Sequence, residues 1–533
     1  MPDLLGPEDS TIVLKFGGGV HSRPSEEDID QRECSDGTNF ELDLQNFHFR
    51  RRKPFQFLGQ APNQSSIRGF ATLKKASTNQ ASLLVQAGDT VYEFDGTTFT
   101  SRGSVSAGSR LRGRISHNWQ LSPEVVLITD LTLTENVKQW DGTTLADVTF
   151  TDELGGAFGD FKAKYCVIQN ERAIFGNVID ATATALPQIM IGSKVSDYTE
   201  ITVTSQPSSA LGEDDPFFIT TPDLRPINGM VSAFTIIALS TQEGQFYQLV
   251  GASAKDFAFK EFYPESGASG DESVSFVGND IFFGRPGRVE SLTANDKFGD
   301  VENNDLSVGI SDLLEDYDEW HIEYSQRTQK VYCYQDGKNE IWVFYKPLRN
   351  SEISPWSKMT TSHSMNMDPS ALMRAYSPDD GLEYIYFGDT AGNLYRMDIE
   401  DPGGDGGLNS IRTVRESALF RFPGDTESFV MQGWVKYRKP VDDITLTLIF
   451  RFQGHHIYRH QIDVTLKAPL QRFFYSDGNY YSGGIYYGSI VGEIGQEIIG
   501  VPGKSTEVQI EAILDGKADF SISEIGLRFT LAK

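Results

Sequence analysis

Three histidines fall within six residues, His455, His456 and His460 of HHIYRH. A His-x-x-x-His spacing holds zinc when it lies on a helix with a glutamate after the first histidine. Here Ile457 stands in the glutamate position, and the flanking residues read as strand. On a strand His456 and His460 share a face about 13 Å apart, too far for one ion. The cluster reads as a solvated strand face. LKFGGGVHS (14–22) supplies glycines that would let a phosphate approach the backbone. That chemistry needs a helix N-terminus behind the loop and an alternation of strands and helices, and neither follows. Gly503-Lys504-Ser505 lacks the glycine a phosphate loop requires five places earlier, where Ile498 stands. There is no Gly-x-Ser-x-Gly elbow, and paired carboxylates in so acidic a chain single out no acid/base couple. The sequence therefore predicts no catalytic residue, no cofactor and no metal.

Two other stretches carry contact chemistry. FRRRKPF (49–55) holds the one consecutive basic run, Arg50, Arg51, Arg52 and Lys53, balanced by the acids of SEEDID (25–30). It suits a polyanion contact or a salt bridge between subunits, the second being preferred. FFYSDGNYYSGGIYYGS (473–489) brings Tyr480, Tyr481, Tyr486 and Tyr487 together with glycines. It suits an extended adhesive loop or hairpin, and equally an ordinary hairpin whose tyrosines pack on a sheet.

Bulk properties limit what these stretches can meet. With 47 basic and 74 acidic residues the net charge is -27, which repels nucleic acid and anionic membrane unless a local patch overrides it. MPDLLGPEDS has acids where a secretory signal has Lys or Arg, and the apolar MVSAFTIIAL (230–239) is too short to span a bilayer. Cys34, Cys166 and Cys333 are scattered and odd in number, as expected of reduced thiols in a protein made in cytosol.

The elements that must position these residues show in a recurring pattern. A β-rich run, a polar turn and a second β-rich run occur at Leu83, Val126, Ala173, Ile236, Ile281, Val331 and Tyr384, with steps of 43, 47, 63, 45, 50 and 53 residues. A period of ~40 to 50 residues is that of propeller blades. The first run of each copy is apolar on nearly every position, so both its faces must be covered, as in a blade packed between two neighbours. Residues 66–405 are thus expected to form a β-propeller of six or seven blades. SQPSSALGEDDP (205–216) is the expected insertion in the long third step, and SDLLEDYDEW (311–320) the best helical candidate, capped by Ser311 or Asp312.

Past DPGGDGG (401–407), a linker by composition, residues alternate with period two in FVMQGWVKYRK, ITLTLIFRF, TEVQIEAIL and ADFSISEIGLRFTL. Val508, Ile510 and Ala512 share one face, and Ile525, Leu527 and Phe529 another. A C-terminal antiparallel β-sandwich-like domain is expected over 406–533, and an N-terminal arm with its lead-in segment over 1–65. The fold class is all-β.

Four segments resemble a known family. ECSDGTNFELDLQNFHFRRRKPFQFLG (33–59) looks like its opening segment. SSIRGFATLKK with LLVQAGDTVYEFDGTTF (65–99) and VLITDLTLTENVKQWDGTTL (126–145) look like its first two blades, and KADFSISEIGLRFT like its terminal strand pair. The family is that of the tail nozzle (tail tubular protein B) and packaged-DNA stabilisation proteins of short-tailed bacteriophages. GDTAGNLYRMD, with Gly392, Leu394 and Tyr395, also resembles the quinoprotein propeller repeat, but one copy in seven fits and a PQQ enzyme is not expected.

The phage resemblance implies a non-enzymatic virion protein of the tail. It implies a closed homo-oligomeric ring, six subunits favoured, in contact with a tail adaptor or portal-proximal ring and other tail proteins. DNA would pass through the lumen without specific binding. The alternatives are a carbohydrate- or receptor-binding propeller of a phage tail, for which no Asp-box is present, and a cellular scaffold propeller.

Overall fold

The structure, a computed structural model, describes residues 9–14, 16, 18–22, 30, 32–42, 48–113, 124–152, 157–202, 211–233, 236–263, 267–295, 300–349, 353–360, 368–397, 411–417, 419–421, 428–438, 440, 443–453, 458–468, 474–475, 486–487, 494–501, 503–505, 507–516 and 521–531. Their regular structure is β throughout, apart from short 3-10 turns.

Each of the seven repeated segments forms the two middle strands of a four-stranded antiparallel meander. In the first, Ala81–Ala87 and Thr90–Phe94 lie between Ile67–Lys74 and Phe99–Ser104. The pattern recurs through Lys330–Tyr334 and Glu340–Tyr345, which lie between His321–Ser325 and Trp356–Thr360. The second strands are buried on both faces: Val126–Asp130 and Lys330–Tyr334 are covered at every position, whereas the outer strand Phe99–Ser104 is almost wholly exposed. A strand covered on both sides cannot alternate, so the apolar runs in the sequence were the signature of sheets packed face to face.

The hydrophobic clusters lie between the sheets rather than within them. One joins Phe70 and Leu83 of the first meander to Met373 and Tyr386 of the last. Others join Leu73 to Val126 and Trp140, Leu127 to Phe161 and Phe175, Ile174 to Met230 and Leu239, and Phe246 to Phe283. The inner strands of successive sheets also touch in cyclic order, from Ile67–Lys74 round to Pro369–Tyr376, which touches Ile67–Lys74 again; in the second meander Val126–Asp130 makes the contact with Lys162–Gln169. This is the arrangement of a β-propeller. At Gly69 an added Cβ would fall 2.2 Å from the Leu111 carbonyl oxygen, so glycine is what lets Ile67–Lys74 and Leu111–Gly113 pair in parallel there.

The last sheet takes its fourth strand from far away in sequence. Gln56–Gln60 pairs with Asn393–Arg396, so residues before the first meander complete the final one. Three more strands from the first 65 residues pair with C-terminal strands. Asp9–Leu14 and Phe49–Arg51 pair with Ser521–Leu531, and Cys34–Thr38 pairs with Ile411–Ser417.

The C-terminal region holds two sheets, one centred on Ser521–Leu531 and Ser428–Arg438, the other on Glu507–Gly516 and Ile444–Gln453. Val508, Ile510, Ala512, Ile525, Leu527 and Phe529 are all buried, in one core with Phe40, Phe49 and Leu448. That core runs on into Trp342 and Trp356 of the neighbouring propeller sheet. The expected helix at 311–320 is a 3-10 turn, Val308–Leu314, with Ser307 rather than Ser311 or Asp312 at its N-cap. The insertion at 205–216 falls in the connection between Ala185–Gly192 and Phe217–Thr220, where residues 203–210 lie outside the described residues.

Candidate functional site

The inner strands of a propeller converge, and whatever begins them meets at the axis. Arg110 and Arg112 begin one such strand, Asp271 and Glu272 stand just before Val274–Val277, and His321 opens His321–Ser325. Glu272 is 3% exposed and pairs with Arg110 at 3.0 Å, with Arg112, and with His321 Nδ1 at 2.8 Å. A carboxylate can only accept, so Nδ1 carries the proton in that bond. The other imidazole nitrogen lies 3.5 Å from Asp336, which Arg110 also reaches at 2.9 Å. The His321 ring stacks on Tyr334 with centroids 4.6 Å apart.

The network extends across further sheets. Lys164 Nζ binds Asp271 at 2.9 Å, and the Tyr165 hydroxyl donates to the same carboxylate at 2.7 Å. Arg112 donates to the Leu372 carbonyl at 3.1 Å and Arg110 to that of Ser370 at 3.4 Å. Five sheets are therefore tied together through charged groups at one end of the ring. Two arginines and a lysine face three carboxylates, so the cluster is close to neutral.

The space beside the cluster is a cavity of ≈ 30 Å³ lined by Arg112, Thr129, Lys164, Tyr165 and Glu272 among others. A water needs ~10 to 15 Å³ of such space, so one or two waters fit and a substrate does not. Removing one member of a buried pair leaves an uncompensated charge. The arrangement acts as a clamp across the axis, holding strands from distant parts of the chain.

The residues expected to make contacts are placed differently from one another. Arg51 and Arg52 are buried, at 4% and 0% exposure, which puts them out of reach of a neighbouring subunit or a polyanion. Arg52 donates from Nε to Asn39 Oδ1 at 2.8 Å, and to the carbonyls of Lys53 and Thr360, and its guanidinium lies 3.8 Å from the Phe55 ring centroid. It joins the N-terminal segment to the propeller. Arg50 and Lys53 are half-buried, and Arg50 lies in register with Glu41 and Ser521. Tyr486–Tyr487 pairs antiparallel with Phe474–Tyr475, while Tyr480 and Tyr481 lie outside the described residues. His460 sits in the strand Tyr458–Leu466, and His455 and His456 also lie outside the described residues.

Burial pushes the Cys34 thiol up to about 12 and raises Cys166 and Cys333 as well, which favours the protonated thiol at all three. The sequence reading missed the axial clamp. The one signal was a charge at the head of several apolar inner strands, such as Asp271-Glu272 before SVSF.

No protein-family model matches the chain, and no curated protein matches its sequence. Solved structures do resemble it. The chain is similar to the computationally designed Ika8 protein at 12% identity and a TM-score of 0.35, over 64% of this chain and 100% of that one. It is similar to Sqt1 of Saccharomyces cerevisiae at 9% identity and a TM-score of 0.38, over 66% and 100%. It is also similar to BBS1N, solved in complex with ARL6DN, at 11% identity and a TM-score of 0.40, over 66% and 98%. Likeness at this level carries no argument about function, and the all-β fold rests on the strand pairing itself.

Proposed function

We propose that this chain is a non-catalytic structural protein of a short-tailed phage virion. Copies assemble into a ring, six being favoured, that forms part of the tail nozzle or head-to-tail conduit, first retaining and then passing the genome. The subunit is a seven-bladed propeller carrying a C-terminal sandwich: the eight-stranded sheet divides at its parallel pair, Arg112 with Phe70, into two blades.

The observation that carries this reading is the path of residues 33–60. That stretch, which bears one of the phage-like motifs, supplies strands to both sheets of the C-terminal region and the closing strand of the propeller. Such interlocking suits a part that transmits load without changing shape. The clamped axis supports a second element of the reading: DNA runs between subunits, through the lumen they enclose, and not through any one propeller. The partners are further copies of the chain, an adaptor or portal-proximal ring, and other tail proteins, joined after synthesis in the host cytoplasm.

Mass photometry of the purified chain, alone and with an adaptor ring, tests the proposal. A closed oligomer with a central opening in negative stain is the expected result, and a chain that stays monomeric under both conditions refutes it. The assembled ring should hold no DNA at low salt, since its surface charge opposes a polyanion.

A further inference from the structure

Four turns on one face of the propeller converge on a cleft of ≈ 600 Å³. They are the turns that follow Ile67–Lys74, Thr90–Phe94, Lys138–Trp140 and Pro369–Tyr376. The volume lies within the ~300 to 1,000 Å³ of small-molecule sites. One wall closes because residue 96 is glycine, φ 103°, where an added Cβ would fall 1.8 Å from Asp379 Oδ1.

The chemistry of the lining selects the ligand. Its carboxylates are engaged by neighbours: Asp95 accepts from Thr97 and Thr98, Asp380 from the Leu382 N–H and the Tyr384 hydroxyl, Glu93 from Arg102 and Ser82, and Asp379 lies 3.5 Å from Arg396. Those contacts take up lone pairs that a bound metal ion would need, while the carboxylates keep their charge. A polyanion is repelled, because among the described residues Lys75 is the one cation lining it against Glu93, Asp95, Asp379 and Asp380. Among the described residues no hydrogen bond engages the side-chain amides of Asn79 and Gln80, which also line the cleft. An amide offers a donor and an acceptor side by side, the pattern that adjacent hydroxyl groups match.

We propose that this cleft binds a short neutral oligosaccharide, with Asn79, Gln80 and Lys75 as its hydrogen-bonding groups. The proposal does not rest on ring assembly, so the chain can fail one test and pass the other. The experiment titrates the full-length protein with maltotriose, cellotriose and tri-N-acetylchitotriose, read by saturation-transfer NMR and calorimetry. Gln80→Trp, at an exposed turn position, should fill the cleft and weaken binding at least tenfold while the thermal midpoint and the oligomer mass stay unchanged. Lys75→Ala should weaken it less. If none of the three sugars binds, or if Gln80→Trp binds as the parent does, the proposal is overturned. Preferential binding of spermidine overturns it too, since the cleft would then be a cation site.

Discussion

Arg112 and Glu272 stand 160 residues apart in the chain and form a buried ion pair at the propeller axis, at 5% and 3% exposure. Glu272 is also held by Arg110 and His321; its loss takes the carboxylate from the buried Arg112, while Arg110 keeps Asp336. Glu272→Ala should therefore destabilise the fold by about 3 to 5 kcal/mol, the cost of breaking a buried pair. Glu272→Gln should cost less, because its amide oxygen still accepts. The double replacement Arg112→Met with Glu272→Leu should recover part of the loss. Urea midpoints of the four proteins decide the matter, and an unchanged midpoint for Glu272→Ala would show that the axis is held by apolar packing alone.

A second prediction concerns the chain's beginning. A protein starting at Ser66 keeps every repeated hairpin, yet it lacks the closing strand Gln56–Gln60 and four strands of the C-terminal sheets. It also loses the Arg52 bonds to Asn39 and Thr360. Open sheet edges and an uncovered core should leave it aggregated. Circular dichroism and sedimentation of the truncated chain would check this, and a soluble, cooperatively melting protein would contradict it.

The hairpins were legible in the sequence because burial on both faces writes a continuous apolar run, as in Val331, Tyr332 and Cys333. The alternating C-terminal strands were legible for the opposite reason, having one face buried. What a sequence does not display is closure. Nothing local marks Gln56–Gln60 as the partner of Asn393–Arg396, or sends Asp271 and Arg112 to one axis. Nor did the basic run show that Arg51 and Arg52 are buried, because burial of an arginine depends on partners such as Asn39 and Phe55, whose proximity only the fold creates.

Acidity is partly explained by turns. Asp130 is 1% exposed and accepts from the Arg110, Thr132, Thr134 and Glu135 backbones and from the Thr132 and Thr134 hydroxyls. Asp95, Asp141, Asp180 and Asp197 staple turns in the same Asp-x-Thr manner. Asp130→Ala should cost about 1 to 3 kcal/mol through orphaned N–H groups, and more than Asp197→Ala, since Asp130 also holds the backbone of Arg110. Paired denaturation curves test the order.

His21 gives the fold a pH dependence near neutrality. Its Nδ1 lies 2.7 Å from Glu33, a bond that raises its pKa above the ordinary 6.5 against the opposing effect of burial. A group whose folded value is raised stabilises fully below its unfolded value and loses that contribution as pH climbs through the folded one. The parent should therefore gain on His21→Gln at pH 5.5 and lose the advantage by pH 8.5. Thermal midpoints at the two pH values measure it, and a constant difference would rule the pair out.

Glu383 works in the opposite sense. Burial raises its pKa above the ordinary 4.5, only partly offset by Arg374, whose Nε is 3.8 Å away, and reinforced by Glu323 nearby. Holding the ionised form is thus a cost to the fold: absent below about pH 4.5, where the side chain is protonated whether folded or not, and complete once pH exceeds the folded value. Glu383→Gln removes the charge while keeping the shape. The variant should melt above the parent at pH 8, with the gain shrinking to nothing as pH falls below about 4.5. A variant that melts lower at pH 8 would mean that the Arg374 pairing outweighs desolvation, and that this end of the ring is held by charge as the axis is.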